Sequence, residues 1–64
     1  MNEEQKKFIG RKCTLVLKRS DGRVDFQTGI YKGQDSTHLV LEMNGSTVFF
    51  LLADLQKVEF SEVL

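Results

Sequence analysis

Thr37-His38-Leu39-Val40-Leu41-Glu42-Met43-Asn44-Gly45-Ser46-Thr47-Val48-Phe49-Phe50-Leu51-Leu52 is the stretch whose pattern decides the fold. Its first part alternates, with Leu39, Leu41 and Met43 on one side of an extended chain and His38, Val40 and Glu42 on the other. Asn44-Gly45 then supplies the two residues of positive φ that a two-residue type I′ hairpin turn requires. The return strand differs in kind. Val48-Phe49-Phe50-Leu51-Leu52 is apolar on both faces, and such a strand expects cover on both. A chain of 64 residues has one core, so the second face is expected to meet another subunit. Phe49 and Phe50 take opposite sides, one for the core and one for a subunit contact or an exposed patch.

The same two-residue period extends outward on both sides. In Cys13-Thr14-Leu15-Val16-Leu17-Lys18, Cys13, Leu15 and Leu17 share a face. Ser20-Asp21-Gly22-Arg23 is turn chemistry, because Ser and Asp bond nearby backbone and Gly accepts positive φ. The next strand alternates Val24, Phe26, Thr28 and Ile30 against Asp25, Gln27, Gly29 and Tyr31, with Gly29 expected to mark a bend or bulge. Gly33-Gln34-Asp35-Ser36 is a second turn cluster. After Leu52, Ala53-Asp54-Leu55 breaks the alternation as a single tight turn, and Val58 and Phe60 point inward from a last short strand.

At the other end, Asn2 is a fair N-cap, Glu3 and Glu4 suit a first helical turn, and Gly10 suits a left-handed stop. The reading is therefore mainly β: a short helix over about 2–9, then strands over about 11–19, 23–32, 37–43, 46–52 and 56–60. Hairpin-length connections throughout make this a strongly bent five-stranded antiparallel sheet or small barrel, in one domain over 1–64.

Nine basic and nine acidic side chains balance to a net charge of zero, which argues against a strong electrostatic trap for nucleic acid. The balance hides a gradient. Residues 1–32 hold eight cations against four carboxylates, a net +4, and residues 33–64 hold one against five, a net −4. The gradient reads as separate basic and acidic faces, as attraction between neighbouring subunits, or as halves that interleave and mix. One cysteine excludes an internal disulfide, and one Cys with one His falls short of a zinc site. No apolar run approaches the length of a membrane span, and the first residues lack a signal-peptide core, so a small cytoplasmic module is expected.

Enzymatic constellations are missing. Cys13 faces the expected core, away from His38, and the serines fall in turns or at strand ends without a neighbouring base. The glycines show no phosphate-cradling spacing. No catalytic residue, metal, cofactor or small-molecule substrate is expected.

Phe8-Ile9-Gly10-Arg11-Lys12-Cys13-Thr14-Leu15-Val16-Leu17-Lys18, followed by Asp21-Gly22-Arg23, resembles the opening of Sm and Sm-like (LSm, Hfq-type) proteins. Ile30, Gly33-Gln34-Asp35 and His38-Leu39-Val40-Leu41 resemble that family's first motif. The resemblance spans residues 8 to about 60. It implies a ring of about five to seven subunits, closed by pairing strand four of one with strand five of the next. It also implies single-stranded RNA bound around the pore by the two loop motifs. The sequence departs from the family where those motifs act. His38 and Thr37 stand at the base-contacting and stacking positions, the motif's Asp falls at Gln34 or Asp35, and Leu51-Leu52-Ala53 replaces the second motif.

The candidate RNA-binding residues are His38, Tyr31, Asp35, Lys6, Lys7, Arg11 and Lys12. The candidate subunit interface is Val48, Phe49, Phe50, Leu51, Leu52, Val58 and Phe60. Two functions follow: a homo-oligomeric ring that binds single-stranded RNA or nucleotide ligands, or an oligomeric protein-interaction scaffold without nucleic acid. A monomeric SH3-like barrel that binds peptide is a third.

Overall fold

The computed structural model describes residues 6–61. They form β1 (Lys12–Lys18), β2 (Val24–Gln34), β3 (His38–Met43), β4 (Ser46–Leu51), a 3-10 turn (Leu52–Asp54) and β5 (Leu55–Phe60). The five strands make one antiparallel sheet in the order β4-β3-β2-β1-β5. β4 and β5 are neighbours in sequence, yet they are the two edges. The expectation of hairpins throughout therefore fails at the last connection, where β5 pairs with β1.

The turns form as their residues dictate. Asn44 and Gly45 both have positive φ, 51° and 80°, between Met43 and Ser46, which face each other across the hairpin. In the β1–β2 turn, the Asp21 carboxylate accepts the Arg23 backbone N–H at 3.0 Å, and Arg19 N donates to the Arg23 carbonyl at 2.8 Å.

Half of the expected helix over 2–9, residues 2–5, lies outside the described residues. Of its remainder, residues 7–9 are turn. Ile9 N donates to the Lys6 carbonyl at 3.3 Å and Arg11 N to that of Phe8 at 3.0 Å. Side chains pin this turn: Phe8 stacks on Phe60 with ring centroids 4.2 Å apart, and the Arg11 guanidinium lies 5.4 Å over the Phe8 ring.

Cys13 and Leu15 of β1, Tyr31 of β2, and Leu39 and Leu41 of β3 form the buried core. Phe8, Leu17, Met43, Phe50, Leu52, Leu55 and Phe60 pack around them. The inward faces read from the sequence for β1 and β3 are thus the buried ones. In β2 the buried side is the one carrying Asp25, Gln27, Gly29 and Tyr31, while Val24, Phe26 and Ile30 are exposed. Polar members of the inward side bond one another at the rim, Gln27 Nε2 donating to Asp25 Oδ2 at 3.1 Å.

Gly29 is needed for a reason other than a bulge. A Cβ there would lie 2.7 Å from the Glu42 carbonyl oxygen and 2.7 Å from Met43 Cγ, so β3 crosses where only a hydrogen fits. The register instead shifts between Tyr31 and Gly33 against β3, and between Val16 and Leu17 against β5. The second shift sets Leu55 opposite Leu17, so β5 begins one residue earlier than its alternation suggests.

Candidate assembly edges and binding face

β4 is an uncharged strand, Ser46-Thr47-Val48-Phe49-Phe50-Leu51. Phe50, and Leu52 just beyond, turn toward the core, whereas Phe49 is 63% and Leu51 49% exposed. The two exposed residues pair across to Val40 and His38 of β3. Val48 is half-buried. On the opposite edge Phe60 packs inward, while Val58, opposite Leu15, remains exposed at the rim of the core. Each edge thus leaves apolar side chains uncovered, and sheet edges with unpaired backbone groups are templates for another chain.

The turn between β2 and β3 is built by one carboxylate. Asp35 Oδ1 accepts the backbone N–H of Thr37 at 2.8 Å and of His38 at 2.7 Å, and the Thr37 hydroxyl at 3.2 Å. The two backbone bonds hold the Asp35 carboxyl below its ordinary pKa. His38 Nδ1 is 2.9 Å from Thr37 Oγ1, and its ring meets Phe49 edge-on at 6.2 Å. Leu52 N donates to the Thr37 carbonyl at 2.9 Å. That bond joins the two segments where the resemblance sets its RNA motifs.

The other RNA candidates go elsewhere. Tyr31 is 1% exposed and its hydroxyl donates to Gln34 Oε1 at 2.9 Å, so its ring has no face to offer a base. Burial, and then the neighbouring Cys13, push its phenol up from its ordinary value. Burial likewise pushes the Cys13 thiol up to about 11, and Cys13 lies in the core as its strand face suggests. Lys6 and Lys7 are exposed, and Arg11 covers Phe8. Lys12 shares its rung with Ile30 and Glu42, whereas His38 lies four residues along β3. The structure gathers Asp35, Thr37 and His38 and sets Lys12 apart from them.

The sequence halves interleave, with β5 beside β1 and β3 beside β2, yet the two hairpins differ in charge. Residues 11–34, which build β1 and β2, hold six cations against Asp21 and Asp25, a net +4. Residues 33–56, which build β3 and β4, contain no Lys or Arg and carry Asp35, Glu42 and Asp54. Lys32 reaches across the boundary to Glu42 at 3.0 Å.

The outward face of β1 and β2 was not among the sequence's candidates. Phe26 there is 65% exposed, paired with Val16, and Val24 beside it is exposed opposite Lys18. The set Val24, Phe26, Thr28 and Ile30 was visible as a period, but a period does not say which side the core takes.

Open clefts also lie among the described residues. One of about 240 Å³ is lined by Lys12, Thr14, Glu59, Phe60 and Ser61, and one of about 320 Å³ lies between the β1–β2 turn and Asp54. Among the described residues no three His, Cys, Asp or Glu side chains gather as a metal site. No helix among them is long and apolar enough to cross a membrane. Compared with known proteins, the chain matches no family model, no curated protein and no solved structure.

Proposed function

We propose that this chain is the subunit of a homo-oligomeric, Sm-like ring that serves as a cytoplasmic protein-interaction scaffold. The observation that carries the assembly is the place of β4 and β5 at opposite edges although three residues join them. In a flat sheet those edges lie about 19 Å apart. Leu51 lies beside the Gln34 end of β2 and Leu55 beside its Val24 end, a further separation of about 33 Å along an 11-residue strand. The chain from Leu51 to Leu55 reaches at most about 15 Å. A sheet rolled into a small barrel resolves the mismatch. The Tyr31 and Phe60 rings support the same reading, since they meet at 5.0 Å from strands that are not neighbours.

A rolled sheet whose edges are both unpaired is completed by another copy. The two edges differ in kind, β4 being uncharged and β5 bearing Lys57 and Glu59, so their pairing joins unlike surfaces. Pairing unlike edges is a head-to-tail contact, which gives a ring when the rotation between copies closes, and the ring is the closed form proposed here. The scaffold role is supported by the charge of the loops. The segments around Asp35 and Asp54 carry no Lys or Arg to neutralise phosphate, and Tyr31 is buried.

One feature favours a second reading, RNA threaded at the ring's centre: the His38 ring is held by Thr37 beside exposed Phe49. Light scattering combined with titration of labelled oligo(U) and oligo(A) at two salt concentrations separates the readings. The scaffold gives assemblies of several copies with no salt-dependent oligonucleotide binding. Salt-sensitive binding by such assemblies gives the role to RNA, and a 7.3 kDa monomer at micromolar concentration removes both ring readings.

A further inference from the structure

We infer that the outward face of the β1–β2 hairpin docks an acidic protein segment through an apolar anchor seated against Phe26. Val16 faces Phe26 across the strands, Val24 follows one rung on, and the three make a continuous apolar patch. Its rim is cationic. Lys18 pairs with Val24, Lys57 of β5 pairs with Val16, and Lys12 stands farther along β1 on the same side. Two carboxylates share this face and both are already engaged, Glu59 by Lys57 at 3.3 Å and Glu42, on the rung of Ile30, by Lys32 at 3.0 Å, which leaves Lys12 and Lys18 as its open cations. An apolar centre with an ammonium rim complements a segment that carries carboxylates around a Phe or Leu.

The position of the patch distinguishes it from the assembly edges. β2 is the central strand of the sheet and β4 and β5 are its edges, so closing a ring leaves Phe26 open. The chain's own acidic hairpin is a poor occupant, because its exposed Phe49 and Leu51 lie on the β4 edge that the ring consumes. Nucleic acid is also a poor occupant, since successive bases need successive rings and the neighbours of Phe26 are valines. The inference rests on the scaffold reading for its setting, in which each subunit displays one such face and a multivalent partner gains avidity.

The probe is a short fluorescein-labelled peptide of glutamates with a central Phe and Leu, followed by anisotropy. Binding is expected to weaken about tenfold or more in Phe26→Ser, as truncation of a central aromatic anchor does. It is expected to weaken also in Lys18→Glu with Lys57→Glu and at high salt. The same peptide with Ser in place of Phe and Leu is expected not to bind. Absence of peptide binding, or equal binding by Phe26→Ser, overturns the inference. Oligo(U) binding that is lost in Phe26→Ser makes the face a nucleic-acid site, and a fall in assembly mass in Phe26→Ser makes it a contact between copies; either overturns it. Light scattering on the same samples reads the ring separately, so a monomer that still binds the peptide through Phe26 ends the ring and keeps the site.

Discussion

In the β1–β2 hairpin the apolar residues left outward, Val24 and Phe26, lie on the sheet's central strand; in the β3–β4 hairpin Phe49 and Leu51 lie on an edge. Both hairpins bury their alternate residues in one core, Cys13, Leu15 and Tyr31 from the first and Leu39 and Leu41 from the second. Their surroundings are opposite, six cations against two carboxylates in one and no Lys or Arg in the other. Exposed apolar area on an edge strand comes with open backbone hydrogen-bonding groups and so invites strand pairing. On a central strand, where the backbone is already paired, the same area offers side chains alone. The first suits assembly and the second suits docking.

The common core is where the two hairpins should behave alike. Leu15→Ala and Leu41→Ala, one beneath each hairpin and each fully buried, are expected to cost about 2–5 kcal/mol apiece in urea unfolding. If one of them is nearly silent, the hairpins do not share a core and the comparison fails at its base. The seam between them is tighter. Gly29→Val forces side-chain atoms against the Glu42 carbonyl and is expected to destabilise by about 1–3 kcal/mol, read from the shift of the urea midpoint.

The inward and outward faces of β2 also mark how far the sequence was legible. The strands, their number, the Asn44-Gly45 turn and the inward residues of β1 and β3 were readable, because alternation and turn chemistry are local. The buried side of β2 was not. Its apolar set Val24, Phe26 and Ile30 is outside, and the core claims Tyr31 because Cys13, Leu39 and Leu41 lie under its end of the strand. That choice depends on where β1 and β3 cross, which is tertiary. The same blindness made Tyr31 a candidate for base stacking and hid Phe26. At the loop, Asp35 was legible as turn chemistry, but its grip on Thr37 and His38 needed coordinates.

The titrating groups sharpen the contrast from the β1–β2 side. The Cys13 and Tyr31 pKa values are both raised by burial, so their protonated forms favour the folded state. The Cys13 contribution is full below pH 9.0 and is lost as pH rises toward about 11. Melting temperature is therefore expected to fall across that window, and Cys13→Ala is expected to make the fall shallower, with Tyr31 supplying the remainder. An unchanged slope contradicts the burial of the thiol as its cause.

From the β3–β4 side the effect is smaller and opposite in sign. The lowered Asp35 pKa means that its contribution is present above the ordinary 3.8 and fades as pH falls below it. Asp35→Ala is expected to lower the melting temperature slightly at neutral pH and to leave less acid sensitivity below pH 3.8. Equal acid sensitivity in both proteins removes the carboxylate from its role as the clamp of the turn.

The central claim is that the β4 edge, with Phe49 and Leu51 outward, is half of an interface between copies. Its most direct measurement is the light-scattering mass of the unmodified chain beside Phe49→Glu with Leu51→Glu, at micromolar concentration. The unmodified chain is expected at several times 7.3 kDa and the double variant at 7.3 kDa, both folded by circular dichroism. A folded monomer for the unmodified chain, or an assembly that the double substitution leaves intact, contradicts it.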